Sequence, residues 1–228
     1  MNEEYYTHVS IDRSDIKVPA NPIPYNQFRR FRYRLVEMSK DYPERNEALL
    51  LLQSATGYRA QDIVDLTIGD IRQALEDEYF LIQEKKQIRA YDTYIRKCTK
   101  EGKTPSRKKP KQRYAELYRS SETYKFLQKY IKGKKNSEYA FKSKGKYGHI
   151  TAKSYSKILR EVGLDLGLDN ISGHSPRKTY ATTLYDDTRD IVFVSRMLGH
   201  KSTETTEKYI GIYKEERRKA ASIIANRF

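Results

Sequence analysis

His174-Ser175-Pro176-Arg177-Lys178-Thr179-Tyr180-Ala181-Thr182 opens the last quarter of the chain, followed by Leu198-Gly199-His200-Lys201-Ser202 and then by Tyr209. His174 and Arg177 stand three residues apart at the start of a predicted helix, a spacing that places both side chains on neighbouring surface. The free N–H groups and macrodipole of a helix N-terminus favour an anion at that spot. Taken alone, the pattern fits equally a histidine that caps the helix and an arginine in a surface ion pair. Gly199 reads as the C-cap of a preceding helix, with His200 aimed by the turn that follows. Tyr209 falls at the end of a short predicted helix, 203–209, and the run Ser202–Lys208 before it shows no apolar face. That helix is expected on the surface, able to swing Tyr209 toward a substrate; the competing reading is a tyrosine anchored on the core. Thr56-Gly57-Tyr58-Arg59 supplies a second arginine. A nucleophile, two guanidiniums and two imidazoles are the parts needed to attack a phosphodiester without a metal.

The rest of the composition suits an anionic partner. The 228 residues carry a formal net charge of +15, which points to a polyanion such as nucleic acid or an anionic membrane surface. The longest clean aliphatic run, Ala48-Leu49-Leu50-Leu51-Leu52, is far too short to span a bilayer. Met1-Asn2-Glu3-Glu4-Tyr5 is polar and acidic, unlike a secretory signal. Cys98 is the only cysteine, which excludes an intrachain disulfide and a multi-cysteine zinc site. A cytoplasmic, nucleoid-associated protein is expected.

Residues 1–24 read as an N-terminal arm, kept extended by Pro19, Pro22 and Pro24. Helices are predicted over 25–38, 44–56 and 60–66, and a strand over 79–83, with no element assigned between Leu66 and Tyr79. Arg29, Arg30, Arg32 and Arg34 make the first helix basic. From Lys85 to Arg113 twelve basic residues meet two acids, so this stretch holds two thirds of the net charge. Such runs are usually solvated loops. Here the interleaved Tyr91 and Tyr94 suggest part helix, and Arg89, Arg96, Lys97, Lys108 and Lys109 are candidate contacts to a phosphate backbone. A return strand over 114–118, a helix capped by Ser120 and Ser121, a short strand over 138–141 and a helix capped by Thr151 follow. Four more helices are predicted over 176–185, 190–198, 203–209 and 214–226. The fold class is mostly α with a small antiparallel β-sheet (α+β).

The conjunction of motifs resembles the tyrosine recombinase, or phage integrase, family. Thr56-Gly57-Tyr58-Arg59-Ala60-Gln61-Asp62-Ile63 is similar to its first arginine motif, with Asp62 at the acidic partner position. His174-Ser175-Pro176-Arg177 is similar to its His-x-x-Arg box, and Leu198-Gly199-His200 with Tyr209 to its second histidine and nucleophile. The resemblance covers roughly residues 25–215 and implies that family's catalytic-domain fold. It implies that Tyr209 attacks the scissile phosphate to form a 3′-phosphotyrosyl bond and release a 5′-hydroxyl. Arg59 and Arg177 would hold the non-bridging oxygens, His174 would assist deprotonation of Tyr209, and His200 would hydrogen bond to the phosphate. A phenol with a reference pKa of about 10 needs such help at neutral pH. No cofactor, ATP or metal is implied. The partners implied are double-stranded DNA sites and three further copies of the chain in a synaptic tetramer that works through a Holliday junction.

Two departures from the family pattern stand out. The family's general-acid lysine sits on a tight β-hairpin, whereas here a basic insertion of about residues 87–110 separates the strands. Lys86 is the first choice, with Lys85 and Lys111 as competitors. Only about two dozen residues precede the catalytic region, 25–213. The chain is expected either to act alone, as short fimbrial-inversion recombinases do, or to use an accessory DNA-binding protein as the other half of a clamp. The C-terminal helix, 214–228, is expected to dock on itself or on a neighbouring protomer. The rival functions are a type IB topoisomerase-like enzyme and a catalytically idle DNA-binding regulator.

Overall fold

The computed structural model describes residues 19–227, and side chains there except those of residues 213–217. The arm expected over 1–24 therefore falls mostly outside the described residues. Its last part is extended: Ile23 is buried, and its main-chain N–H donates to Thr179 Oγ1 at 2.8 Å.

Helix α2 (Pro43–Thr56) is the axis of the molecule. Its Ala48–Leu52 run and Gln53 are buried, as expected of a helix surrounded by protein. It packs against α1 (Tyr25–Met38), α6 (Glu122–Tyr130) and α8 (Ser175–Thr188). Phe31 and Leu35 of α1, Leu127 of α6, and Tyr155, Leu159 and Val162 of α7 (Ala152–Asp165) complete the main core. A second, smaller cluster of Ala181, Val194 and Leu198 joins α8, α9 (Ile191–Leu198) and α10 (Thr203–Ile210). The chain ends in α11 (Ile212–Ala225).

Strands β1 (Tyr79–Ile82) and β2 (Arg113–Glu116) pair antiparallel with Phe80 opposite Ala115. Between them lies α5 (Lys85–Lys100), whose Ile88, Tyr91, Ile95 and Cys98 share one face at helical spacing. The segment after it folds back along the helix. Lys103 N–H donates to Cys98 O, Ser106 N–H donates to Tyr94 Oη at 2.9 Å, and Arg107 lies over the Tyr94 ring. The basic insertion is thus a helix and a strap that returns along it, and only Cys98 is fully buried along α5.

Three local expectations needed correction. Helix α4 (Ile68–Asp77) occupies the stretch left unassigned; Thr67 and Asp70 cap it reciprocally. The short helix after Arg59, α3, ends at Ile63 rather than Leu66. Residues 138–141 form no ladder, only single bridges of Thr67 with Tyr139 and of Lys142 with His149. The reason is a change of partner: Glu138 and Ala140 bond to the Leu66–Ile68 segment, then Phe141 bonds to Ile150.

Candidate active site

The chain reverses sharply at the end of α2 to present Arg59. Gly57 has φ +60, and a Cβ there would sit 2.4 Å from the Tyr180 ring, so the turn admits only glycine. The buried Tyr58 then fastens the turn to the sheet, donating its hydroxyl to Phe80 O and Arg113 O at 3.0 and 2.6 Å. Asp62, one turn into the following helix, accepts from Lys85 N–H at 2.9 Å and ties the end of β1 to the same place. Burial raises the Asp62 carboxyl above its usual range, with the Lys85 amide opposing.

Arg177 is 1% exposed. Its guanidinium donates to Gly57 O and to Leu198 O, so the ends of α2 and α9 both grip it. Burial, aided by Arg59, lowers its pKa to about 10, still charged at neutral pH. Gly199, with φ +65, lets the chain leave α9 so that His200 stands against Arg177, with Nε2 3.4 Å from Nη2. A guanidinium can only donate, so Nε2 is the acceptor and Nδ1–H faces Thr206 Oγ1 at 2.9 Å. The His200 ring meets Tyr209 edge-on at 5.5 Å between centroids. Lys178 Nζ lies 5.1 Å from the centre of the same tyrosine ring.

Tyr209 combines the two expectations held for it. Its ring packs against the α8–α9 cluster, as an anchored tyrosine would, and its hydroxyl is turned inward beside Arg177. The helix that carries it is not a free surface element, for Thr206 is fully buried. Tyr209 Oη is buried and makes no well-formed hydrogen bond among the described residues. Burial raises its pKa, and the Arg177 and Arg59 charges, with a weak hydrogen bond to Arg177, only partly offset this.

His174 is the N-cap residue of α8, and its side chain makes no capping bond. Instead it lines a pocket of about 320 Å³ with Arg59, Gln61, Lys86, Ser156 and Gly173. Burial lowers its pKa, and Arg177 lowers it further. Of the lysine candidates, Lys86 faces this pocket, whereas Lys85 Nζ is held by Asp65 and Gln61 O. Lys111 is exposed in the strap before β2.

Two residues escaped the sequence reading. Glu84, 2% exposed, receives Arg59, with Arg177 Nη1 and Arg113 Nε at 3.8 and 3.9 Å from the same oxygen. Arg113 spans the site, donating to Thr56 O and Met197 O and lying 4.1 Å over the Tyr58 ring. Glu84 was hidden as a lone acid beside the basic run, and Arg113 was counted as one of that run.

The basic helix α1 divides. Arg32 pairs with Glu47 and Glu122, and Arg34 makes a two-pronged bond to Asp165, so these two serve the fold's own ion pairs. Arg29 and Arg30 remain exposed, as do Arg89, Arg96, Lys97, Lys108 and Lys109.

The phage integrase family pattern matches residues 32–216, a span that contains Arg59, Glu84, Lys86, Arg113, His174, Arg177, His200 and Tyr209. The chain belongs to the phage integrase family. Among its relatives, the probable integrase/recombinase YoeC of Bacillus subtilis is 36% identical over 97 residues, 42% of this chain and 54% of that protein. The tyrosine recombinase XerD of Oceanobacillus iheyensis is 26% identical over 91% of this chain and 62% of the relative. This integrase-family chain thus spans only about half to three fifths of those relatives. Its fold is shared with XerH recombinase bound to a palindromic difH substrate in a post-cleavage complex, at TM-score 0.61 and 22% identity over 92% of this chain and 54% of that one. The Tn1549 transposon integrase in complex with a circular intermediate DNA matches at TM-score 0.59 and 16% identity, over 90% of this chain and 68% of that one.

The site makes stability depend on pH. Burial, with Arg177 and Arg59, lowers the His200 pKa to about 4 from its ordinary 6.5. Below about pH 6.5 the unfolded chain takes up a proton that the folded chain refuses, so stability is full above that pH and falls as acid is added, levelling near pH 4. Urea titrations are expected to show a loss of about 2 kcal/mol from this residue between pH 7 and pH 5. His200→Gln is expected to flatten that part of the profile; an unchanged profile would place the titration elsewhere.

Proposed function

We propose that this chain is the catalytic part of a DNA strand-transfer enzyme, a site-specific recombinase acting through a 3′-phosphotyrosyl intermediate. The carrying observation is the convergence of Arg59, Arg177, His200 and Tyr209 from four separate parts of the fold around one phenol. Two guanidiniums beside a nucleophile suit a reaction whose charge builds on non-bridging phosphate oxygens. The neighbours solved with DNA, XerH and the Tn1549 integrase, support a duplex as partner.

In this reading Tyr209 Oη attacks phosphorus and loses its proton, and the bond to the 5′-oxygen breaks. The 5′-oxygen takes a proton from Lys86 and leaves as a hydroxyl. His174 helps remove the phenol proton once DNA is seated, and His200, whose Nε2 points to Arg177, steadies the phosphate. A seated phosphodiester raises the His200 pKa, since its negative charge favours the imidazolium. The phosphotyrosyl linkage keeps the energy of the broken bond, so a 5′-hydroxyl from another strand reverses the step without a cofactor.

The exposed cations of α1 and of α5 with its strap supply the grip on backbone phosphates. Residues 25–213 act as the catalytic domain, and α11, whose Ile223 and Ile224 are exposed, docks on a neighbouring protomer within a tetramer. An accessory DNA-binding protein completing the clamp belongs to the same proposal. Strand joining tests the function. Covalent complex formed on a nicked duplex of gene-flanking DNA is offered a labelled strand with a free 5′-hydroxyl. A longer labelled product that requires Tyr209 is expected; covalent complex that never joins a foreign strand would contradict strand transfer.

A further inference from the structure

A general acid must be held in place, and Lys86 sits at the start of a helix with little buried surface. Glu84, two residues earlier, is joined to both sides of this problem. Its main-chain carbonyl accepts from Gln87 N–H and Ile88 N–H at 3.0 and 3.1 Å and so opens α5. Its side chain accepts from Gln87 Nε2 through one oxygen and meets Arg59, Arg177 and Arg113 through the other. Arg177 and Arg113 are each held independently by two main-chain carbonyls, so they form a fixed platform. Glu84 is buried and does not line the pocket shared by Arg59, His174 and Lys86. One carboxylate among three guanidiniums leaves positive charge in excess, so it neither fills nor cancels the seat for a phosphate.

We infer that Glu84 is a positioning residue that fastens the start of α5, and with it Lys86, to the arginines that hold the phosphate. This rests on the reading of Lys86 as the general acid. A buried carboxylate paired with Arg59 and within 4 Å of two further guanidiniums is costly to pull away from them, which gives the turn a defined place without a contact to DNA.

The test uses the full chain on two nicked duplexes of gene-flanking DNA, one with the natural bridging 5′-oxygen and one with sulfur in its place. A thiol has a pKa near 8.5, so thiolate leaves without a proton donor. On the oxygen substrate, Glu84→Gln is expected to slow single-turnover adduct formation at saturating DNA by roughly 10- to 100-fold, with the DNA Kd changed less than about threefold. Sulfur is expected to restore most of that rate in both Glu84→Gln and Lys86→Ala, and Glu84→Asp, which keeps the charge, to recover part of it on oxygen. An equal loss on both substrates in Glu84→Gln, with Lys86→Ala restored by sulfur, would overturn the inference alone. Failure of sulfur to restore Lys86→Ala would overturn the reading of Lys86 and the inference with it. If Glu84→Gln folds poorly, Glu84→Asp is read by the same sulfur criterion, since its shorter reach slows the oxygen substrate only.

Discussion

Tyr209→Phe is expected to lose all covalent attachment to DNA while melting at a higher temperature than the parent. Both halves follow from one atom. Tyr209 Oη is buried, and its one partner, Arg177, reaches it in poor geometry; a buried hydroxyl left so weakly paired costs on the order of 1 kcal/mol. Phenylalanine keeps the ring on the His200 edge and beside Lys178, so packing is retained while the weakly paired hydroxyl is removed. A gain of about 1 kcal/mol in denaturant titrations is expected, with DNA affinity within about twofold of the parent. A variant that melts lower would mean that the hydroxyl is satisfied in solution.

The second large effect is expected at Arg177. Arg177→Lys keeps a charge but loses the planar fork that reaches Gly57 O and Leu198 O together. Removing a donor aimed at developing charge costs about 10²–10³ in rate. Breaking a buried ion pair costs about 3–5 kcal/mol when one partner is deleted, and lysine recovers part of that. The substitution is therefore expected to slow adduct formation by roughly 10³-fold and to destabilise by about 2 kcal/mol. Single-turnover cleavage and urea titration measure the two separately. Near-parental cleavage in Arg177→Lys would remove Arg177 from the proposed chemistry.

Much of this site was legible because its parts are short local signals. Gly57 and Gly199 mark the two turns that present Arg59 and His200, and each turn demands a left-handed residue at one position. His174 and Arg177 share the first turn of α8, so their adjacency is a matter of helical spacing alone. Helix boundaries at Tyr25 and Thr56 followed from Pro24 and Gly57. What stayed hidden depends on pairing distant segments. Glu84 meets Arg113 because β1 and β2 run antiparallel, and it meets Arg177 from far along the chain; nothing near Glu84 announces either neighbour. The burial of Tyr209 was masked by polar neighbours: Thr206 is fully buried, yet a threonine reads as surface. Helix α4 was missed although Thr67 and Asp70 spell its capping box, since Gly69 in its first turn weakens the helical pattern. The ion pairs of Arg32 and Arg34 with Glu47, Glu122 and Asp165 span 15 to 131 residues of chain, beyond any local reading.

Tyr209 is expected to become joined to the 3′ end of a cut DNA strand. The direct measurement is to incubate the protein, with chelator present, on nicked suicide duplexes of gene-flanking DNA, isolate the denaturant-stable adduct and map it by mass spectrometry. A 3′-phosphate ester on the peptide holding Tyr209 and a free 5′-hydroxyl on the released strand are expected. An adduct on Tyr213 or any other residue, a linkage to the 5′ end, or tight binding with no adduct would contradict it.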